Sequence, residues 1–229
     1  MGRQSTHRLA GVARAGAVLA TAYLAGSIPF SNLTARRVGR VDLRDVGTGT
    51  VSGTSLYRVT GFLPLAGAGI LEVAKGSVGP ALAGSTRPVV AALAGGAAVC
   101  GHDWSVFLRG AGGRGISPAL GAFLVQDPAG TVLLLSGMVA GRLAGETAIG
   151  SLASYVLLVP LLTARKGRAG FLAGTSVLVP LVVKRLLGNG PPPDRSAYLP
   201  RLVVDRDTFA RVEEPSEDGE RRVPSVRSI

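Results

Sequence analysis

The stretch "TAIGSLASYVLLVPLLTARKGRAGFLAGTSVLVPLVV" (Thr147–Val183) decides the fold. Its two halves, Thr147 to Thr163 and Ala169 to Val183, carry no charge, whereas Arg165, Lys166 and Arg168 crowd the "ARKGR" between them. A helix needs about 20 apolar residues to cross a bilayer, and each half approaches that length. The small residues scattered through both halves let helix backbones touch in lipid, where packing drives association. No period-two alternation of the kind a membrane β-barrel requires is visible. The reading is two membrane helices joined by a basic turn.

Working outward, the same pattern recurs. Leu9 to Phe30 is interrupted by Arg14, and Phe62 to Ala83 by Glu72 and Lys75. Pro88 to Gly101 is uninterrupted, and Ile116 to Gly141 has a polar notch at Gln126-Asp127-Pro128. With a turn at that notch the count is about seven transmembrane helices, some short or broken. The expected fold class is an all-α, polytopic membrane bundle. Residues 1–188 are expected to form the membrane-embedded domain, and 189–229 a flexible charged C-terminal tail. A secretory signal peptide over residues 1–27 is a competing reading of the first run.

Charge separates the function classes. The chain has 229 residues, 47% of them hydrophobic and 17% charged, with a formal net charge of +11. Basic chains often bind nucleic acid, but here the cations lie between apolar runs and aromatics make up only 5%, so no nucleic-acid partner is expected. Basic loops beside apolar spans suit anionic lipid and the bias of cations toward the cytoplasm. By that rule "ARRVGRVDLRDVG" (Ala35–Gly47), with Arg36, Arg37, Arg40 and Arg44, is cytoplasmic. The loop at 102–115 and the chain after Lys184-Arg185 then share its side. The N-terminal arginines and "ARKGR" face the other way, against the rule. The lone Cys100 excludes a disulfide framework within the chain. With His7 and His102 the only histidines, neither a metal cluster nor a cofactor is expected.

Two loops carry the candidate chemistry. "HDWSVFLRGAGGRGIS" (His102–Ser117) holds four glycines, Arg109 and Arg114. Its Gly110–Gly115 matches GxGxxG, yet no strand precedes it, so the dinucleotide reading is weak. Glycines let backbone N–H groups converge on an anion, and a helix starting near Ile116 would aim its positive end at the same place. "VGTGTVSGTSLYR" (Val46–Arg58) repeats the logic with three glycines, five hydroxyl residues and Arg58. Each loop alone could be a plain linker. Glu72 and Lys75, three apart, share a helix face as either an internal ion pair or a substrate contact. His102 titrates in the range of a general base, or it caps carbonyls at a helix end.

Taken together, "YLAGSIPFSNLTARRVGRVDLRDVGTGTVSGTSLYRVTG", "LEVAKG", "GHDWSVFLRGAGGRG" and "SLASY" resemble the bacterial acyl-phosphate:glycerol-3-phosphate acyltransferase family over roughly residues 21–188. The resemblance implies a multi-pass inner-membrane enzyme whose active-site loops face the cytoplasm. Its substrates would be acyl phosphate and glycerol 3-phosphate, its products lysophosphatidic acid and phosphate, and its role phospholipid biosynthesis. It places Gly47, Thr48, Gly49 and Arg58 in a first phosphate-binding motif, Lys75 after the acid of the second helix, and His102 in a Gly-His pair. Gly112, Gly113, Arg114 and Gly115 fall on a GGKG segment, and Ser151 and Ser154 on a serine-bearing motif. Thr48, Ser151 and His102 are the candidate catalytic groups; the others bind phosphate. The chain departs from the family at Thr48, Thr50, Ser55, Arg114 and Ala148. Val179 and Val182 stand where a histidine and an asparagine are usual, which leaves as the alternative a diverged, weakly active or inactive homologue that binds phosphorylated lipid or regulates a partner. Oligomeric state is not legible.

Overall fold

The computed structural model describes residues 2–47, 49–190 and 194–203, and every regular element among them is helical. α1 (Gly2–Ser27) ends ahead of Pro29, whose ring lacks an N–H and disfavours helical geometry at Ile28. The chain turns there into α2 (Phe30–Thr34), runs on as a π-helical turn (Ala35–Gly39), and stops at left-handed Arg40. A 3₁₀ turn (Leu43–Asp45) leads to α3 (Gly53–Thr60), where Ser52 Oγ accepts from Ser55 N at 3.2 Å. The rest of the bundle is α4 (Phe62–Ala83), α5 (Pro88–Asp103), α6 (Ile116–Gln126), α7 (Pro128–Leu143) and α8 (Thr147–Leu187).

The polar notch is a turn. Asp127 caps α7 by accepting from Ala129 N at 3.1 Å, Pro128 takes the first helical position where no N–H is needed, and Thr131 Oγ1 reaches back to Leu120 O at 3.0 Å. α8 also folds back on itself. A straight helix would hold Ala148 and Arg185 about 55 Å apart, yet Arg185 Nη2 donates to Ala148 O at 2.8 Å. The reversal is at Gly167 (φ 56°, ψ −134°), a left-handed position that glycine tolerates, inside "ARKGR". The two limbs, 147–166 and 168–187, are the two helices read from the opening stretch.

Small residues set the helix spacing. A Cβ at Gly76 of α4 would overlap Pro118 O of α6, and one at Gly101 of α5 would overlap Tyr23 O of α1. Aromatic and branched side chains fill the centre between α5, α6, α7 and α8, with Phe123, Leu158, Val177 and Leu181 buried. Large apolar side chains also stand outward, Leu63 at 81% exposure and Leu143 at 84%. That is the surface expected of a chain solvated by lipid. Three segments, His7–Gly39, Pro88–Leu108 and Thr147–Leu187, are long and apolar enough to cross a membrane, and α6 and α7 are shorter apolar helices. The all-α membrane bundle is thus as expected. The figure of seven crossings remains an expectation.

Beyond α8, a 3₁₀ turn (Arg195–Ala197) and α9 (Tyr198–Val203) pack back against the bundle. Buried Arg201 donates through Nη1 to Leu186 O, Leu187 O and Gly190 O at 3.1–3.3 Å, closing the C-terminal carbonyls of α8. Residues 191–193 and 204–229 of the expected tail lie outside the described residues.

Candidate active site

The two glycine loops meet at one end of the bundle. Val51 N donates to Gly112 O at 3.1 Å, and beneath them Leu43, Val51, Leu56 and Leu108 form a small buried core of their own. Gly113 N donates to His102 O at 3.2 Å, folding the second loop onto the end of α5. No side chain fits beneath this loop. A Cβ at Gly112 would overlap the carbonyls of His102 and Asp103, and one at Gly113 would overlap His102 Nε2 and Val51 O. Gly115, at φ 68°, ends the loop and opens α6, whose first turn has no side-chain cap.

Beneath the loops Glu72 organises a buried network. Ser31 donates to Glu72 Oε1 from its amide (2.9 Å) and its hydroxyl (3.0 Å). Glu72 Oε2 pairs with Lys75 and lies 3.2 Å from His102 Nδ1. Lys75 Nζ also donates to Ile28 O at 2.6 Å, where the bend before Pro29 frees that carbonyl. Glu72 and Lys75 side chains are each 3% exposed. A carboxylate on Nδ1 fixes the imidazole's orientation and turns Nε2 toward Gly113.

A second cluster stands on the end of α8. Lys184 Nζ donates to Asn189 Oδ1 at 2.6 Å and lies 5.3 Å from the Trp104 ring centre. Asn189 then joins both loops: its Oδ1 accepts from Gly112 N (3.1 Å), and its Nδ2 donates to Gly49 O (2.8 Å) and Gly112 O (3.1 Å). Asp103 is fully buried, and neither of its oxygens has a hydrogen-bond partner. Lys184, Lys75 and Arg114 surround it electrostatically. Three cations around two carboxylates leave a buried site with an excess of positive charge.

The residues expected from sequence fall into three groups. Lys75, His102, Gly49, Gly112, Gly113, Arg114 and Gly115 gather at or beside this site. Gly47 is an exposed left-handed turn residue of the first loop, and Arg58 stands exposed on α3, outside the hydrogen-bonded network. Ser151 and Ser154, buried in the first limb of α8, donate to Thr147 O and Ser151 O of their own helix. Thr48 lies outside the described residues. Sequence reasoning did not single out Ser31, Asp103, Lys184 or Asn189. Only for Asn189 was a signal visible: "GNG" directly after "KRLL" ends a helix with a polar side chain beside left-handed Gly188.

Fold and site together define a polytopic membrane bundle with a buried, cation-rich cluster under two glycine loops. Residues 16–188 match the family model described as glycerol-3-phosphate acyltransferase. The glycerol-3-phosphate acyltransferase of Shouchella clausii is 38% identical over 124 residues, 50% of this chain and 60% of that protein's length. Glycerol-3-phosphate acyltransferase 3 of Dehalococcoides mccartyi is 32% identical over 163 residues, 63% of this chain and 76% of its own length. The crystal structure of PlsY, an integral membrane glycerol 3-phosphate acyltransferase in its glycerol 3-phosphate form, superposes with a TM-score of 0.68. That superposition covers 75% of this chain and 88% of PlsY at 24% identity, a likeness of fold. The chain belongs to the glycerol-3-phosphate acyltransferase family.

Proposed function

We propose that this chain transfers an acyl group from acyl phosphate to the 1-hydroxyl of glycerol 3-phosphate, giving lysophosphatidic acid and inorganic phosphate. All seven helices, α1, α4 to α7 and the two limbs of α8, would cross the bilayer, with both glycine loops at its cytoplasmic face. The observation that carries this reading is the meeting of the two loops through Val51–Gly112 and the Asn189 side chain. Loops joined at residues 61 apart in sequence then offer amides and cations to one volume.

The chemistry asks little of a base. The hydroxyl oxygen attacks the acyl carbonyl carbon, the bond from that carbon to the phosphate oxygen breaks, and the hydroxyl proton ends on the departing phosphate. Phosphate leaves readily from such a mixed anhydride, so the harder task is to hold two mutually repelling anions with hydroxyl and carbonyl in line. Arg114, Lys184 and the amides at the start of α6 meet that need. Arg114 offers a planar fork that can grip two phosphate oxygens at once. Arg58, exposed on α3, would meet an incoming anion at the rim. His102, held by Glu72, keeps Nε2 beneath the Gly113 backbone and so sets the loop rather than removing the proton.

The test is release of free phosphate by detergent-purified protein given acyl phosphate and glycerol 3-phosphate. Release above a boiled control, lost when Arg58 and Arg114 are both changed to alanine, is the expected result. Undiminished release by that double variant would overturn the site. Replacing acyl phosphate with acyl-CoA identifies the donor.

A further inference from the structure

The opposite end of the bundle holds a pocket of about 310 Å³. Its walls come from the ends of α4 and α6, the start of α5, and α8 around its reversal. Phe123, Leu162 and Ala173 make it apolar, and Gln126, Asp127 and Lys166 bring polar groups to its edge. Every wall helix except α4 reaches the glycine loops only at its other end, and α4 carries Glu72 two turns away from Pro80, so this pocket is separate from the site above.

Three observations specify an occupant. First, Phe123, Leu162 and Ala173 line the pocket with hydrocarbon, which suits an acyl chain better than a polar solute. Second, the lone carboxylate in the wall, Asp127, is already matched: Arg165 Nε donates to both its oxygens at 2.9 and 3.1 Å. Asp127 also feels Lys166, but with Arg168 next but one along the chain and Arg87 on the turn before α5 this edge keeps an excess of positive charge. Third, Lys166 and Arg168 belong to the "ARKGR" run, which with Arg165 sets three cations around the reversal of α8 at Gly167. A ligand there would give them a reason to persist.

We propose that this pocket binds an anionic glycerophospholipid, with an acyl chain between Phe123, Leu162 and Ala173 and the phosphate oxygens against Lys166. A volume near 300 Å³ sits at the small end of ligand pockets and suits one chain rather than a whole lipid. The site thus selects for head-group charge, and its occupancy steadies the turn that joins the two limbs of α8.

The experiment is thermal unfolding of the detergent-purified full chain with added phosphatidylglycerol or phosphatidylcholine of the same chain length. Phosphatidylglycerol at about ten times its dissociation constant is expected to raise the midpoint by about 3 °C more than phosphatidylcholine does. Lys166→Glu, at an exposed position, and Ala169→Phe, which fills the pocket, should each abolish that difference, whereas His102→Ala at the other end should keep it. Equal shifts from the two lipids overturn the proposal. So does a difference that survives Ala169→Phe, which would mean lipid merely coats the surface, or one lost in His102→Ala, which would mean the catalytic site is the binder.

Discussion

Two acidic clusters, one around Glu72 and one around Asp42, use the same chemistry at different depths. Asp42 accepts from Arg44 N, Nε and Nη2 at 2.8–3.0 Å and pairs with Arg36 at 2.9 Å. Its partners are solvated, Arg36 being 57% exposed and Arg44 35%. Glu72 and Lys75 have almost no water around them, so neither charge has anywhere else to turn. Water weakens the first cluster and its absence makes the second obligatory. Glu72→Gln is therefore expected to have the largest effect. It removes the counter-charge of buried Lys75 at a cost of about 3–5 kcal/mol and turns an N–H donor toward Lys75 and His102, while Ser31 keeps its acceptor at Oε1. Acyl transfer should be lost and the melting midpoint in detergent should fall by many degrees. A variant with wild-type melting and activity would show that the pair is ornamental.

The next effect separates architecture from stability. Gly113→Ala forces a Cβ into His102 Nε2 and Val51 O. The loop must lift, and a misplacement of about 1 Å costs roughly a hundredfold in rate. Because the loop lies at the rim and not in the helical core, kcat/KM is expected to fall about that far with little change in melting. A large loss of melting stability with full residual activity would contradict this.

The sequence disclosed the parts that follow from periodicity and missed those that follow from meeting. The apolar runs, the turn at Asp127-Pro128 and the reversal at "ARKGR" were legible because each is a local matter of greasiness, proline and glycine. Glycines of both loops were legible for the same reason. What Glu72 touches was not, because Ser31 lies 41 residues away and His102 lies 30 away, and only the packing of α2, α4 and α5 brings them together. Val179 shows the converse. Its position raised the prospect of a lost pocket residue, yet in this chain it is 53% exposed on the outer face of α8. Asn189 escaped because it sits just beyond the last apolar run, where composition announced a tail.

Asn189→Ala sharpens the contrast between a buried and a half-open network. Four hydrogen bonds disappear, but Asn189 is itself exposed and water can replace part of what is lost. A net loss near 1–1.5 kcal/mol is expected, read as a roughly tenfold drop in kcat/KM. Most of it should fall on KM for glycerol 3-phosphate, since the side chain holds the loops rather than the reacting atoms. Asn189→Gln cannot recreate the same bridge and should not rescue. An unchanged KM with a collapsed kcat would place Asn189 among the catalytic groups instead.

The smallest effect tests the solvated cluster through pH. The side-chain hydrogen bonds from Arg44, with help from its amide and from Arg36, hold the Asp42 carboxyl below its ordinary range. A lowered folded-state value means the folded chain binds that proton more weakly than the unfolded chain does. The stabilisation is therefore fully present above the unfolded value of about 3.9 and drains away as pH falls toward the folded one. Exposure of both arginines limits it to about 0.5–1 kcal/mol. Asp42→Asn should lower the melting midpoint slightly at pH 7, and by a diminishing amount below pH 4, until the two proteins melt together. Added salt should shrink the difference at pH 7, because screening reaches Asp42 and does not reach Glu72. A gap between the two proteins that stays constant as pH falls would mean that the hydrogen-bonding shape of the side chain, not its charge, holds the entry to the first glycine loop.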